Sequence, residues 1–338
     1  MSSAAIYGLS GLELTADEKA FIRDANPWGF ILFARNVDRP RQVSKLCVAL
    51  RDAVGRDAPI FIDQEGGRVQ RLKPPTWRAA PPADVFGKLY RRDEAAALEA
   101  VRLNHRLLAD ELTAVGVDAD CAPCIDLQIE GADAIIGDRS YSTDAGIVAA
   151  LGRAAMEGLL AGGVAPVIKH IPGHGRADAD SHLALPRVDT VRDTLEATDF
   201  APFRDLADAP MAMTAHIVYS DIDSDDPATH SEAMIGDVIR GFIGFDGLLM
   251  SDDLSMQALS GTLAQRGERA LSAGCDLVLH CNGEMKEMIA IAHAMPDLTG
   301  KPRARADAAA ACRKPADAFD AEAGLKRLDD LLDGEGAA

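Results

Sequence analysis

Short apolar runs of strand length recur along the chain, separated by longer amphipathic stretches. The runs are Ala4 to Gly8, Gly29 to Phe33, Pro59 to Asp63, Val117 to Cys121, Val164 to Lys169, Met211 to Ala215, Gly247 to Ser251 and Cys275 to His280. Each is apolar throughout rather than alternating, the pattern of a strand buried on both faces in a parallel sheet. Between them the sequence predicts helices over Asp93 to Gly116, Thr143 to Gly162, Thr194 to Asp208 and Ser231 to Arg240. Thr143 is the expected cap of the second, and glycines close the first two. Eight strands alternating with helices predict an α/β fold, a single (β/α)8 TIM-type barrel, with an open doubly wound sheet as the alternative. The Ala-rich stretch from about 300 to 338 has mixed charge and no motif, and is expected to form extra C-terminal helices outside the barrel. No linker or internal repeat interrupts the sequence, so residues 1–338 are read as one domain.

Charge narrows the possible partners. The 338 residues carry a formal net charge of -18 and no Lys/Arg block. A nucleic-acid protein needs a basic face for phosphates, and an anionic membrane surface would repel this chain, so neither partner is expected. The N-terminus, MSSAAIYGLSGLEL, lacks the basic and apolar regions of a signal peptide, and no apolar run is long enough to span a bilayer. Six scattered cysteines read as free thiols in a reducing compartment, so a cytoplasmic protein is expected; a monomer is also expected, though no sequence feature speaks to assembly. Cys121 and Cys124 form a lone CxxC broken by Pro123, without the further ligands that structural zinc needs. They are read as inert, partly buried thiols.

Candidate chemistry clusters where the apolar runs end. PIFID leads into Gln64-Glu65-Gly66-Gly67-Arg68, and VAPVIK into His170-Ile171-Pro172-Gly173-His174-Gly175. MAMTA leads into His216, and GLLM into Ser251-Asp252-Asp253-Leu254. In a barrel, such C-terminal strand ends build the active site. The densest segment is KHIPGHGRADADSH, Lys169 to His182. Its Asp180 and His182 are spaced so that a turn can set the carboxylate against the imidazole, a pair suited to acid–base work near neutral pH. The same segment also has a metal reading, with His170, His174, His182 and Asp180 as zinc ligands. Side chains alternate along a strand, so one of Asp252 and Asp253 is expected to face the mouth and the other to brace the following turn. Spacing does not say which, and Asp63 and Glu65 pose the same question.

KHIPGHG followed by DSH, with IDQEGGRVQR before and SDDLSM after, resembles the bacterial β-N-acetylglucosaminidases of glycoside hydrolase family 3, in particular their single-domain NagZ type. PWGFILFARN at Pro27 to Asn36 and GDRSY at Gly137 to Tyr141 extend the resemblance, which runs from about Gly29 to His280. Small departures are Ile171 and Tyr141, where phenylalanine is common, and Cys124, where an aliphatic residue is usual. The resemblance implies Asp252 as nucleophile, His182 as acid/base and Asp180 as its partner. It also implies Asp63, Arg71, Arg139, Lys169 and His170 as sugar-binding residues, with no metal and no cofactor. The implied substrate is a small amino sugar glycoside, N-acetylglucosamine (GlcNAc) linked to 1,6-anhydro-N-acetylmuramic acid with or without a peptide, in peptidoglycan recycling. The chemistry is consistent with these roles: Asp252 would attack the anomeric carbon while His182 protonates the leaving oxygen, and the cations would keep Asp252 ionised. Four other readings stay open on the residues alone: attack by the substrate's own acetamido oxygen, phosphorolysis on the same site, a metal-dependent barrel hydrolase, and a barrel that binds sugar without turnover.

Overall fold

The computed structural model describes residues 1–129, 131, 135–181 and 184–333. All eight apolar runs are strands: β1 (Ser3–Tyr7), β2 (Pro27–Leu32), β3 (Ile60–Ile62), β4 (Ala119–Asp120), β5 (Ala165–Ile171), β6 (Met211–Thr214), β7 (Leu248–Asp253) and β8 (Leu277–His280). Every neighbouring pair is parallel, and β1 pairs with both β2 and β8, so the sheet closes into a barrel. The open-sheet alternative is thereby set aside.

The two-sided burial predicted for the strands is seen residue by residue. In β1, Ala4 and Ile6 join one apolar cluster with Phe61, Val167, Met211 and Leu279, which fills the barrel. Ala5 and Tyr7 join another, with Ile168, Ala212, Leu249 and Val278, which lies between strands and helices. Period-two alternation thus sorts an all-apolar strand between two cores. Each fully buried Ile, Leu or Phe contributes about 1.5–3 kcal/mol, so closure needs no polar contact to drive it.

The surrounding helices are α1 (Ala16–Ala25), α2 (Pro40–Val54), α3 (Ala83–Tyr90), α4 (Glu94–Ala114), α5 (Ala145–Ala161), α6 (Arg192–Ala197) and α7 (Ala201–Asp205). A helical segment at Met234–Phe242 precedes β7, and α8 (Leu263–Ala273), α9 (Met285–Ala292), α10 (Gly300–Ala310) and α11 (Ala321–Leu332) follow it. Two local expectations are corrected. The cap of α5 is Asp144, whose carboxylate accepts from the Ile147 N–H at 3.1 Å; Thr143 stands one residue outside. The helix expected over Thr194 to Asp208 is two short ones, because Pro202 brings no N–H to continue the first ladder. α4 and α5 pack so closely that a Cβ on Gly158 would lie 2.4 Å from the Arg102 carbonyl. α10 closes the N-terminal end of the barrel, with Ala306 and Ala309 in the interior cluster, whereas α11 lies outside against α4. No helix among the described residues is long and apolar enough to cross a membrane.

Candidate active site

The C-terminal ends of β3, β5 and β7 and the loop after β4 converge on one cleft of about 190 Å³. Its polar lining includes Asp63, Arg71, Arg139, Lys169, His170 and Asp252. Ile31, Phe33, Met213 and Leu279 form an apolar wall, and Cys281 also borders the space. The volume is below the range of about 300–1,000 Å³ typical of drug-sized ligands, so the cleft suits one small polar ring.

Charged side chains form a continuous ladder along one wall. Asp63 follows directly on β3. A two-stranded ribbon, Gln64–Gly66 against Val69–Gln70, brings the chain back so that Arg71 Nη2 donates to Asp63 Oδ2 at 3.0 Å. The Gln64 side chain braces this ribbon: its amide donates to the Leu72 carbonyl, and its Oε1 accepts from the Arg71 and Leu72 N–H groups. Gly66 sits at φ +101°, and a Cβ there would be 2.4 Å from the Pro81 carbonyl, so the return needs glycine. Lys169 Nζ bridges Asp63 Oδ1 at 2.8 Å and Glu65 Oε1 at 2.7 Å. Arg139 then grips Glu65 with two parallel bonds, 2.9 and 2.8 Å.

Three cations meet two carboxylates in this ladder, a net positive charge beside Asp252. Burial alone would raise the Asp63 and Glu65 carboxyls. Lys169 and Arg71 more than offset it at Asp63, which is held well below the carboxylate range; Arg139 and Lys169 bring Glu65 down to about 2. Burial would lower Lys169, but Asp63 and Glu65 hold it far above its ordinary value. All these groups stay charged through the working pH range.

The alternation question resolves through irregular strands. The register of β5 against β6 shifts between Lys169 and Ile171, and Lys169 and His170 both border the cleft. β7 shifts against β8 between Met250 and Asp253, and Asp252 and Asp253 likewise both border it. Their hydrogen bonds differ. Asp253 accepts from the Ser255 and Cys281 N–H groups at 3.1 and 3.0 Å and from the Ser255 hydroxyl, which ties the turn after β7 to β8. Asp253 is therefore the brace. Asp252 accepts from the Asp253 N–H at 2.7 Å.

Sequence reasoning missed Asp126. It is fully buried and accepts from the His170 ring Nδ1 at 2.6 Å and from the His170 and His174 backbones at 3.2 and 2.6 Å. Burial would raise Asp126, but His170 and His174 hold it well below its ordinary range, so it accepts as an anion. His170 Nδ1 accordingly carries a proton, and Nε2 is its free edge. Glu65 was noticed but not placed on the sugar side, and Asp120 was not noticed. Asp120 is fully buried, accepts from the Gln64 N–H at 2.9 Å and leaves Oδ2 unpaired; burial pushes its carboxyl up to about 8. His216 is buried between Thr229 and the Asp253 carbonyl, a structural histidine.

Asp180 is half-buried on the long loop after β5 and is not among the residues bordering the cleft; its carbonyl accepts from the Ala184 N–H at 3.1 Å. His182 lies outside the described residues. The alternative zinc reading includes His182 and so extends beyond the described residues; among the described residues, the clustered donors are Cys124, Asp126 and His170. His174 instead turns its Nε2 to the Ser181 hydroxyl at 3.3 Å. Cys121 and Cys124 are both buried, and burial pushes both thiols well up, which suits the inert reading.

The glycosyl hydrolase family 3 N-terminal domain matches residues 5–311. The chain belongs to glycosyl hydrolase family 3. It is a glycoside hydrolase of the NagZ type within that family. A β-hexosaminidase of Bordetella avium is 40% identical over 280 residues, 81% of this chain and 79% of that protein. One of Aromatoleum aromaticum is 36% identical over 315 residues, 92% and 88% of the two chains. NagZ from Neisseria gonorrhoeae, solved in complex with N-trifluoroacetyl-D-glucosamine, superposes with a TM-score of 0.86 at 31% identity, covering 99% of each chain. A family 3 β-N-acetylglucosaminidase from Paenibacillus has the same TM-score at 28% identity; the match covers 97% of this chain and 66% of that one. In this family 3 barrel, the polar ladder and Asp252 share the single-ring cleft described above.

Proposed function

We propose that this family 3 hydrolase removes terminal β-linked GlcNAc with retention of configuration, from muropeptide fragments of the GlcNAc-1,6-anhydro-N-acetylmuramic acid type in the cytoplasm. The observation that carries the reading is the meeting of Asp252 with the Asp63–Lys169–Glu65–Arg139 ladder in a cleft sized for one sugar. The β-hexosaminidase names of the relatives, and the glucosamine derivative held by the Neisseria protein, support the choice of sugar.

In this mechanism, Asp63 accepts from sugar hydroxyls, while Arg71, Arg139 and Lys169 donate to hydroxyls and to the acetamido carbonyl. His170, fixed by Asp126, presents Nε2 to the ring. The Asp252 carboxylate attacks the anomeric carbon as the glycosidic bond breaks, and His182, oriented by Asp180, gives its proton to the leaving oxygen. His182 then takes a proton from water, whose oxygen displaces Asp252 and restores the free carboxylate. The positive ladder favours the anionic nucleophile before attack and after release.

The test is hydrolysis of an aryl β-N-acetylglucosaminide in phosphate-free buffer, followed by mapping after a fluorosugar inactivator. The expected result is turnover with the matching β-glucoside ignored, and an adduct on the peptide containing Asp252. Turnover only with added phosphate would assign phosphorolysis, and loss to a chelator with recovery on zinc would assign a metal hydrolase. His182→Ala is expected to lower turnover of natural linkages by about 10²–10⁴-fold and that of activated aryl glycosides far less, because a good leaving group needs little acid. Equal losses on the two would remove His182 from the acid role.

A further inference from the structure

The Asp252 carboxylate stands at the end of a chain of buried groups that begins outside the cleft. Its Oδ1 accepts from the Asp253 N–H at 2.7 Å. The Asp253 carbonyl in turn lies 3.1 Å from Nε2 of His216. Nδ1 of His216 lies 2.7 Å from the Thr229 hydroxyl, which is 2.8 Å from the Thr214 hydroxyl. Thr214, His216 and Thr229 are all fully buried. The chain fills a gap in the sheet. β7 pairs with β6 as far as Met250 against Met213, and β6 ends at Thr214. The Asp253 carbonyl therefore lies beyond that ladder, and its donor on this side is a side chain from the segment after β6.

Counting protons fixes the direction of the chain. A carbonyl oxygen only accepts, so Nε2 of His216 carries a proton. In the neutral imidazole Nδ1 is then an acceptor, and the Thr229 hydroxyl donates to it. That hydroxyl has one proton, so with it spent on Nδ1 it accepts from Thr214. Donation thus runs one way, from Thr214 to Thr229 to His216 to the Asp253 carbonyl, and each bond polarises the next. The reverse arrangement needs an imidazolium, with the Thr229 proton turned to the Ala215 carbonyl at 3.1 Å. Burial opposes it, lowering His216 below its ordinary value against the pull of Asp252 and Asp253.

We propose that His216, held by Thr214 and Thr229 as its Nε2–H tautomer, is a positioning residue for the nucleophile, clamping the backbone of Asp253, whose N–H holds the Asp252 carboxylate. The proposal rests on the reading of Asp252 as the nucleophile. The Asp253 side chain is tied separately, to the Ser255 and Cys281 N–H groups, so His216 restrains the one part of that residue that its own carboxylate leaves unanchored. The sugar is held by the ladder on the other wall. Loss of the clamp therefore leaves binding alone and loosens the line of attack, which acts on kcat and not on KM.

The experiment compares His216→Leu, His216→Gln and Thr229→Val in the full chain, on an aryl β-N-acetylglucosaminide, with folded sites counted by circular dichroism. Leucine fills the space without a donor, whereas the glutamine amide can donate where Nε2 did. His216→Leu is expected to lower kcat per folded site by about 10–100-fold with KM within about twofold. His216→Gln is expected to restore kcat to within about threefold of wild type, and Thr229→Val to lower it by about 3–10-fold. A loss confined to KM, a glutamine variant as slow as the leucine one, or a folded leucine variant with wild-type kcat overturns the proposal. A merely structural histidine would lower the urea midpoint and leave kcat per folded site unchanged. If the fluorosugar labels no peptide containing Asp252 in the wild type, the nucleophile reading itself fails. The imidazole ¹⁵N signals of His216 then decide the clamp alone. A neutral Nε2–H tautomer at pH 7 that is lost in Thr229→Val supports it, and an Nδ1–H tautomer or an imidazolium overturns it.

Discussion

Lys169 is shared between two carboxylates in the molecule's mouth and is itself only 3% exposed. Replacing it with methionine keeps the volume and removes the cation, so Asp63 and Glu65 face one another with one fewer counter-ion. Breaking a buried pair in this way costs about 3–5 kcal/mol. Lys169→Met is therefore expected to lower the urea midpoint by that equivalent and to abolish GlcNAc hydrolysis. A stable variant with intact turnover would show that the ladder only decorates the cleft. Much at this scale was legible in the sequence: five of the residues picked for sugar binding and Asp252 border one cleft. Asp126 was not. In CAPCIDLQ it looks like an ordinary polar residue after a strand, and its importance comes from three donors that arrive from β5 and the loop beyond, more than forty residues away. Glu65 was passed over although it stands two residues from Asp63, a spacing that puts both on one face of an extended segment, and both meet Lys169.

At the scale of elements, burial on both faces wrote the strands plainly. Runs such as VAPVIK and GLLM cannot sit on a solvated surface, so all eight were recognisable before any partner was known. What the pattern hid were the register shifts at Lys169–Ile171 and Met250–Asp253, which depend on the neighbouring strand and leave no mark on hydropathy. The ends of α4 and α5 were readable to within about two residues, whereas the helices expected to start at Thr194 and Ser231 start at Arg192 and Met234. Thr143 and Asp144 are both good caps, and only the backbone geometry selects Asp144. Asp144→Ala is accordingly expected to destabilise the fold by about 1 kcal/mol, and Thr143→Ala by less than about 0.5 kcal/mol, in equilibrium denaturation. A reversed order would return the start of α5 to Thr143.

For the molecule as a whole, buried ionisable groups set the pH profile of stability from opposite sides. Glu65, brought to about 2 from an ordinary 4.5, contributes stability above pH 4.5 that is lost as pH falls toward 2. His105 and His174, held neutral by burial and lowered to about 4, add a loss that begins as pH falls below 6.5. Asp120 acts in the other direction. Its carboxyl is raised from 3.8 to about 8, so its contribution is complete below pH 4 and is lost as pH climbs through 8. Between pH 6.5 and 8 the histidines are silent, and one proton's worth of slope is at most about 1.4 kcal/mol per pH unit. Asp120→Asn is expected to remove that decline, as read by denaturation at a series of pH values; an unchanged slope would mean that Asp120 is already ionised. The cysteines offer a different use of the same architecture. Four of the six are buried, Cys312 is half-exposed on the far end, and Cys281 borders the cleft itself. Burial pushes both of the latter thiols up, so alkylation at neutral pH is slow at each. A sugar in the cleft shields Cys281 and leaves Cys312 untouched. The ratio of the two labelling rates thus becomes an internal clock for occupancy, readable by mass spectrometry in a variant that turns nothing over.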